Sequence, residues 1–290
     1  MKYFILFPLL MATSVMAQEP DSNSALFSLR EAERIFAKES VMIGRNEAFV
    51  KNFAEESAIF TDKWITNGKQ FSKERKASPL VLKWEPEFMD ISASGDFGIS
   101  TGPWEVQEYR PNTAALATGY FLTVWKKQSE GEWKVILDGG SETPAVMNPQ
   151  HTISFPSGAD KAVQNPPVVN TGFLSKELSD RDKQILAIWE KSPLPSTYIS
   201  FLERDARIQL KGHLPTTNKD TINSFINSFD KTLIWETSGS GAASSGDLGY
   251  TYGSLKILSA PKVRKGHYVR IWKKLSGDSW KIELEMMNFD

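Results

Sequence analysis

The acids of this chain that could move a proton sit at predicted strand ends. Asp62 closes the apolar stretch Ala58-Ile59-Phe60 and is followed by Lys63. A carboxylate there could act as a general base in an enclosed site, and the turn chemistry of Asp also accounts for it. Asp138 ends the segment GEWKVILD, and Glu283 and Glu285 lie in the matching segment DSWKIELE. Acids at such places can line the mouth of a curved sheet or be polar strand ends. Tyr109 and Tyr120 could donate hydrogen bonds to a bound oxygen, though tyrosine also simply favours strands. His213 follows Gly212 in a predicted loop, where it could titrate near neutral pH. His267 lies in KGHYVRIW, and alternation puts it on the face of Val269 and Ile271. Other chemistries have no carriers. His151, His213 and His267 lack ligand spacing and there is no cysteine, so no metal is expected. No nucleophile elbow, phosphate loop or dinucleotide fingerprint occurs, so no cofactor is expected either.

The elements that would position these residues are written twice. TGYFLTVWKKQSEGEWKVILD in the first half is answered by KGHYVRIWKKLSGDSWKIELE in the second, at an offset of 147 residues. Ser94-Gly95-Asp96, Gly98 and Gly102 recur as Ser245-Gly246-Asp247, Gly249 and Gly253, and Trp84 recurs as Trp235, at an offset of 151. A steady offset over most of two halves marks an internal duplication. In the first copy the periodicity predicts a helix over Leu26–Ile43, a short one over Asn46–Phe53 capped by Asn46, and another over Phe71–Lys76. Extended segments follow, with hairpin turns at Ser94-Gly95-Asp96 and Ser129-Glu130-Gly131. The second copy repeats the order, its first helix starting at a capping box of Ser179 and Asp182. The paired tryptophans read as core, and Lys126-Lys127 and Lys273-Lys274 as solvated hairpin ends. Between the copies, five prolines from Pro144 to Pro167 mark a linker.

Length and charge bound the rest. The 290 residues suit two domains, and a net charge of −1 argues against nucleic acid or an anionic membrane surface as partner. Met1-Lys2, the apolar run Tyr3–Met11 and the small residues Val15 and Ala17 read as an export signal cleaved before Gln18, too short for a stable membrane anchor.

Helix, short helix, strand, helix and then long antiparallel strands, with FAEESAIFTDKW at the first strand and GEWKVILD at the last, resembles the nuclear transport factor 2-like superfamily. That group includes ketosteroid isomerase-like and SnoaL-like proteins, and the strand order looks most similar to exported bacterial members without an assigned role. The resemblance implies an α+β fold of two tandem cone-shaped domains, each with N-terminal helices packed on a strongly curved antiparallel sheet. It also implies a general base at Asp62. The tyrosine donor of the isomerases has no counterpart, because the comparable stretch here is Phe36-Ala37-Lys38-Glu39. In the second copy the position opposite Asp62 falls on Leu210 or on His213, depending on the alignment.

The expected organisation is a signal peptide at 1–17, a first domain at 18–140, a Pro-rich linker at 141–178 and a second domain at 179–290. The expected role is binding of a small, largely apolar ligand or a partner, with Tyr109, Tyr120, Asp138, His213 and His267 as ligand-facing candidates. The alternatives are an isomerase or lyase using Asp62, and a pure interaction scaffold. The two sheets are expected to pack on each other as an intrachain pseudo-dimer, leaving an exported monomer.

Overall fold

A computed structural model describes residues 24–60, 65–109, 114–144, 152–156, 159, 168–229, 232–258, 263–275 and 279–290. The signal segment and Asp62 lie outside them. The chain folds as two α+β halves. The first comprises α1 (Ala25–Met42), α2 (Arg45–Asn52), β1 (Phe53–Phe60), β2 (Ile65–Asn67), α3 (Gly68–Glu74), β3 (Leu80–Trp84), β4 (Phe88–Ile91), β5 (Phe97–Glu108), β6 (Ala117–Lys127) and β7 (Trp133–Glu142). The second comprises α4 (Thr171–Lys191), α5 (Pro195–Ile199), β8 (Leu202–Leu210), α6 (Lys219–Asn227), β9 (Leu233–Ala242), β10 (Leu248–Ile257), β11 (Arg264–Leu275) and β12 (Ser279–Phe289).

Both sheets have one topology. The order is β2-β1-β7-β6-β5-β3 in the first, with β4 also on β5, and β8-β12-β11-β10-β9 in the second. The first strand runs parallel to the last in each, β1 on β7 and β8 on β12. The pairing of β6 with β7 slips between Val124 and Trp125, and that of β11 with β12 slips at the matching place, between Ile271 and Trp272. A bulge bends the strand that carries it, so the same device curves both sheets over their helices.

Each long helix lies across the concave face. Leu26, Leu29, Glu33, Phe36 and Ser40 form the buried stripe of α1, and Leu174, Leu178, Asp182, Ile185 and Trp189 that of α4. An acid stands in the middle of each stripe. The six paired tryptophans are buried in the cores beneath these helices. Closeness of helix to sheet depends on glycine. A Cβ at Gly98 would come 2.4 Å from Leu29 Cδ2 and 2.9 Å from the Asp90 carbonyl oxygen. A Cβ at Gly249 would meet Leu178 Cδ1 at 2.4 Å and the Gly241 carbonyl at 2.7 Å.

The convex faces meet each other. Phe60, Phe97, Ile99, Leu122, Val124 and Leu137 of the first sheet share one buried cluster with Ala243, Leu248, Val269, Ile271, Leu284 and Met286 of the second. At one end the two Ser-Gly-Asp turns touch: Ser94 Oγ lies 2.8 Å from Ser245 Oγ, and the Ala93 amide donates to Asp247 at 2.9 Å.

Several local expectations need correction. Helix α2 is capped by Gly44, not Asn46, whose Nδ2 instead donates to the carbonyls of Arg75 (2.6 Å) and Lys76 (3.3 Å). Helix α4 begins at Thr171, eight residues before the expected start at Ser179, because Asn170 accepts from the amides of Gly172 and Phe173. Asp182 is therefore mid-helix and buried rather than in a capping box. Lys273 is not a solvated hairpin end. It reaches between the sheets to Asp90 and to Glu283, at 3.2 Å from the latter. The matched glycines predict a matched response: Gly98→Ala and Gly249→Ala should each destabilise the protein by about 1–3 kcal/mol through overpacking, measured by urea unfolding.

Candidate functional site

The concave face of the first half holds an open cavity of about 480 Å³. Its walls are aromatic and aliphatic, with Phe36, Phe49, Trp84, Trp104 and Phe121 prominent. Edge-to-face contacts hold these rings, such as Phe36 on Trp84 at 4.8 Å between centroids. Two polar side chains face the cavity from adjacent strands. Thr123 on β6 and Asp138 on β7 are register partners, and the Thr123 hydroxyl donates to Asp138 Oδ2 at 2.7 Å. Burial pushes the Asp138 carboxyl up to about 7, the Thr123 hydrogen bond partly offsets that, and the Glu33 carboxyl adds to it. Arg45 of α2 and Arg75, just beyond α3, line both this cavity and a neighbouring one.

Glu33 stands behind this site. It accepts from the indoles of Trp84 (2.5 Å) and Trp125 (2.9 Å) and from Ser100. Burial raises its pKa against those donors. Among the described residues its hydrogen-bond partners are neutral donors.

The second half carries the same positions with different content. Trp84, Ser100 and Trp125 become Trp235, Thr251 and Trp272, and Glu33 becomes Asp182. Thr123 becomes Arg270, however, and Asp138 becomes Glu285, again as register partners on adjacent strands. Arg270 is fully buried, at the register position that Thr123 holds beside the cavity of the first half. Its Nε donates to Glu285 Oε1 at 2.7 Å, Nη1 donates to Asp182, and Nη2 donates to the Tyr198 hydroxyl at 3.0 Å. Tyr198 in turn donates to Glu285 at 2.7 Å, and the guanidinium stacks 4.2 Å from the centre of the Trp235 ring. Burial alone would lower the pKa of Arg270, but Glu285, Tyr198 and Asp182 more than offset it and hold the side chain charged. Each buried charge has its partner, as a low-dielectric interior requires.

The other candidates from the sequence do not gather here. Tyr109 is 76% exposed beyond the main run of β5 and lines no part of the cavity. Tyr120 points from the convex face, and its hydroxyl donates to Glu87 at 2.8 Å. His213 is exposed in a turn against Phe225, with ring centres 4.8 Å apart. His267 is buried between the sheets, 5.0 Å from the Phe60 ring and 3.1 Å from Asn288 Nδ2. Glu285 is locked to Arg270, and Glu283 faces the other sheet through Lys273, so neither lines a mouth. Asp138 alone of the candidates within the described residues faces the cavity. Thr123, Arg45 and Arg75 were not singled out from the sequence. The signal for Thr123 was its mismatch with Arg270 inside an otherwise repeated strand. Among the described residues no cluster of His, Asp and Glu could hold a metal, and no helix is long and apolar enough to cross a membrane.

No protein-family profile matches the chain, and no curated protein matches it. Solved structures do. They include a nuclear transport factor 2-like protein of unknown function from Shewanella oneidensis (12% identity, 39% of this chain and 97% of that one, TM-score 0.33). A ketosteroid isomerase-like protein from Erwinia carotovora atroseptica matches at 14% identity over 42% of this chain and 98% of its own, with a TM-score of 0.33. A nuclear transport factor 2-like superfamily protein from Salmonella enterica matches at 16% identity over 44% and 96%, with a TM-score of 0.34. Each spans about the length of one half of this chain. The resemblance to the nuclear transport factor 2-like superfamily holds at the level of fold, where the order of helices and strands in each half carries it.

The raised carboxyl of Asp138 sets a pH dependence. Its value in the folded chain, about 7, lies above the ordinary 3.8. Between those values the folded state holds a proton that the unfolded chain has released. This contribution to stability is therefore full below about pH 4 and is lost as pH rises through about 7. Asp138→Asn keeps the Thr123 hydrogen bond and cannot ionise. Its stability relative to the parent should rise by roughly 1–3 kcal/mol between pH 5 and pH 8.5, measured by unfolding at both values.

Proposed function

We propose that the first half is a small-molecule binding module and the second a filled structural mate. The ligand is compact and largely apolar, its body against the aromatic walls and one polar group against Thr123 and Asp138. A single contrast supports this: the position that Arg270 fills in one half is Thr123 in the other, and the space is lined rather than packed. The volume suits a small organic ligand, since such pockets commonly measure about 300–1,000 Å³. A second reading, proton transfer within the bound ligand, is favoured by Asp138, because a carboxyl titrating near neutrality can give and take a proton at working pH. In that reading Asp138 takes the role that the family resemblance would give to Asp62. Export, cleavage before Gln18 and a monomeric mature chain belong to the same proposal.

The hollow is tested by filling it. Thr123→Arg should place a guanidinium between Glu33 and Asp138, as Arg270 lies between Asp182 and Glu285. The parent should bind 1-aminoanthracene with a fluorescence rise, and the variant should bind it at least tenfold more weakly while unfolding cooperatively. Equal binding by parent and variant would place the ligand elsewhere. Light scattering on the mature chain should give the monomer mass; twice that mass would mean that a sheet face is covered by a second chain.

A further inference from the structure

The second half shows what a box of this make holds. The Arg270 guanidinium lies over three rings, 4.2 Å from the centre of Trp235, 4.5 Å from that of Tyr268 and 6.0 Å from that of Tyr198. Asp182 and Glu285 close the box with carboxylates. Ring faces and carboxylates together favour a planar cation. The first half repeats this box. Trp84 stands for Trp235, Phe121 for Tyr268, Phe49 for Tyr198, Glu33 for Asp182 and Asp138 for Glu285. The geometry matches too. Phe49 and Trp84 stand 6.2 Å apart at 82°, and Tyr198 and Trp235 stand 6.2 Å apart at 83°. The three rings and Asp138 line the cavity. Thr123 takes the register position of the arginine, and its hydroxyl donates to Asp138 at 2.7 Å. Burial and the Glu33 carboxyl both oppose the charge on Asp138. An apolar ligand would leave that cost in place, and a cation would offset it.

We infer that the polar group of the ligand is a planar organic cation, a guanidinium or amidinium, which lies over the Trp84 ring beside Phe121 and donates to Asp138, as Arg270 lies over Trp235 and donates to Glu285. This rests on the cavity reading above and names the chemical class of the group that the cavity takes. Thr123 suits that group, because its hydroxyl can donate to Asp138 and still accept from a guanidinium N–H. Arg45, Arg75 and Glu142 also line the cavity. The two arginines equally line the neighbouring cavity, which neither Asp138 nor the three rings reach. Their charge opposes a second cation on that side, so the ligand carries one cationic group, at the Asp138 end.

The probes are benzylguanidinium and benzylurea, which share planar shape and apolar area and differ in charge. Calorimetric titration of the mature chain at about pH 8 should show benzylguanidinium binding about tenfold more tightly than benzylurea. Its affinity should rise as pH passes through about 7, where Asp138 ionises, and that of benzylurea should stay level. Asp138→Asn should bring the two probes to equal affinity, and Asp138→Glu should keep the preference. Thr123→Arg should displace both by supplying a guanidinium of its own. Unfolding curves establish that the variants fold, and the pH series on the parent needs no variant. Equal or tighter binding of benzylurea by the parent, abolished by Thr123→Arg, would overturn the cation inference and leave the cavity reading standing. So would a preference that survives Asp138→Asn. Binding of 1-aminoanthracene with neither of these probes would do the same. Failure of all three to bind the parent would overturn the cavity reading and this inference with it.

Discussion

A curved antiparallel sheet with apolar residues on both faces has two surfaces to remove from water, and helices from its own domain cover only one. In this chain each sheet covers the other. Leu122, Val124 and Leu137 meet Val269, Ile271 and Leu284, which are their own counterparts in the repeat. The order of events along the strands follows from that contact. Alternate residues of β6 and β11 must be apolar toward the sister sheet, so everything specific to each cone is confined to the remaining positions. Thr123 and Arg270 are such positions. They sit between convex-face residues, and they can change without disturbing the joint between the halves.

The two cones solve one problem in two ways. Both place an acid from the long helix beneath the sheet and surround it with indole and hydroxyl donors. In the first half that acid, Glu33, has only neutral hydrogen-bond partners among the described residues, and burial raises its pKa. In the second half a cation is present and the site becomes a closed network of Asp182, Arg270, Glu285 and Tyr198. An arginine that satisfied two carboxyls leaves no donors for a ligand. A threonine leaves one carboxyl, Asp138, facing open space.

Much of the fold was legible because it depends on periodicity and repetition. The tryptophans, the Ser-Gly-Asp turns and the paired glycines recur at fixed offsets, and each occupies the same place in its half. Helix boundaries were less legible where two capping residues compete. Asn46 and Ser179 both suit a cap, but Asn46 is taken by carbonyls twenty-nine and thirty residues away and Ser179 lies inside a helix already begun at Asn170. The site was legible only in Asp138. Arg45 and Arg75 come together through the packing of α2 on α3, which no local pattern encodes. His267 was placed by alternation with Val269 and Ile271, but only the structure shows that their face meets the sister sheet. Lys273 resembled any solvated lysine until the second sheet brought Asp90 to it.

The contact between Ser94 and Ser245 has a consequence for what the chain can become. Two identical subunits meeting at such a contact would lie on a true twofold axis, and every substitution would be made twice. An arginine that plugged one cone would plug both, and a hollow that weakened one core would weaken both. Joined in one polypeptide, the halves keep the geometry of a symmetric pair without its genetics. One can keep a cavity in its concave face while the other carries a buried arginine tied to two carboxylates.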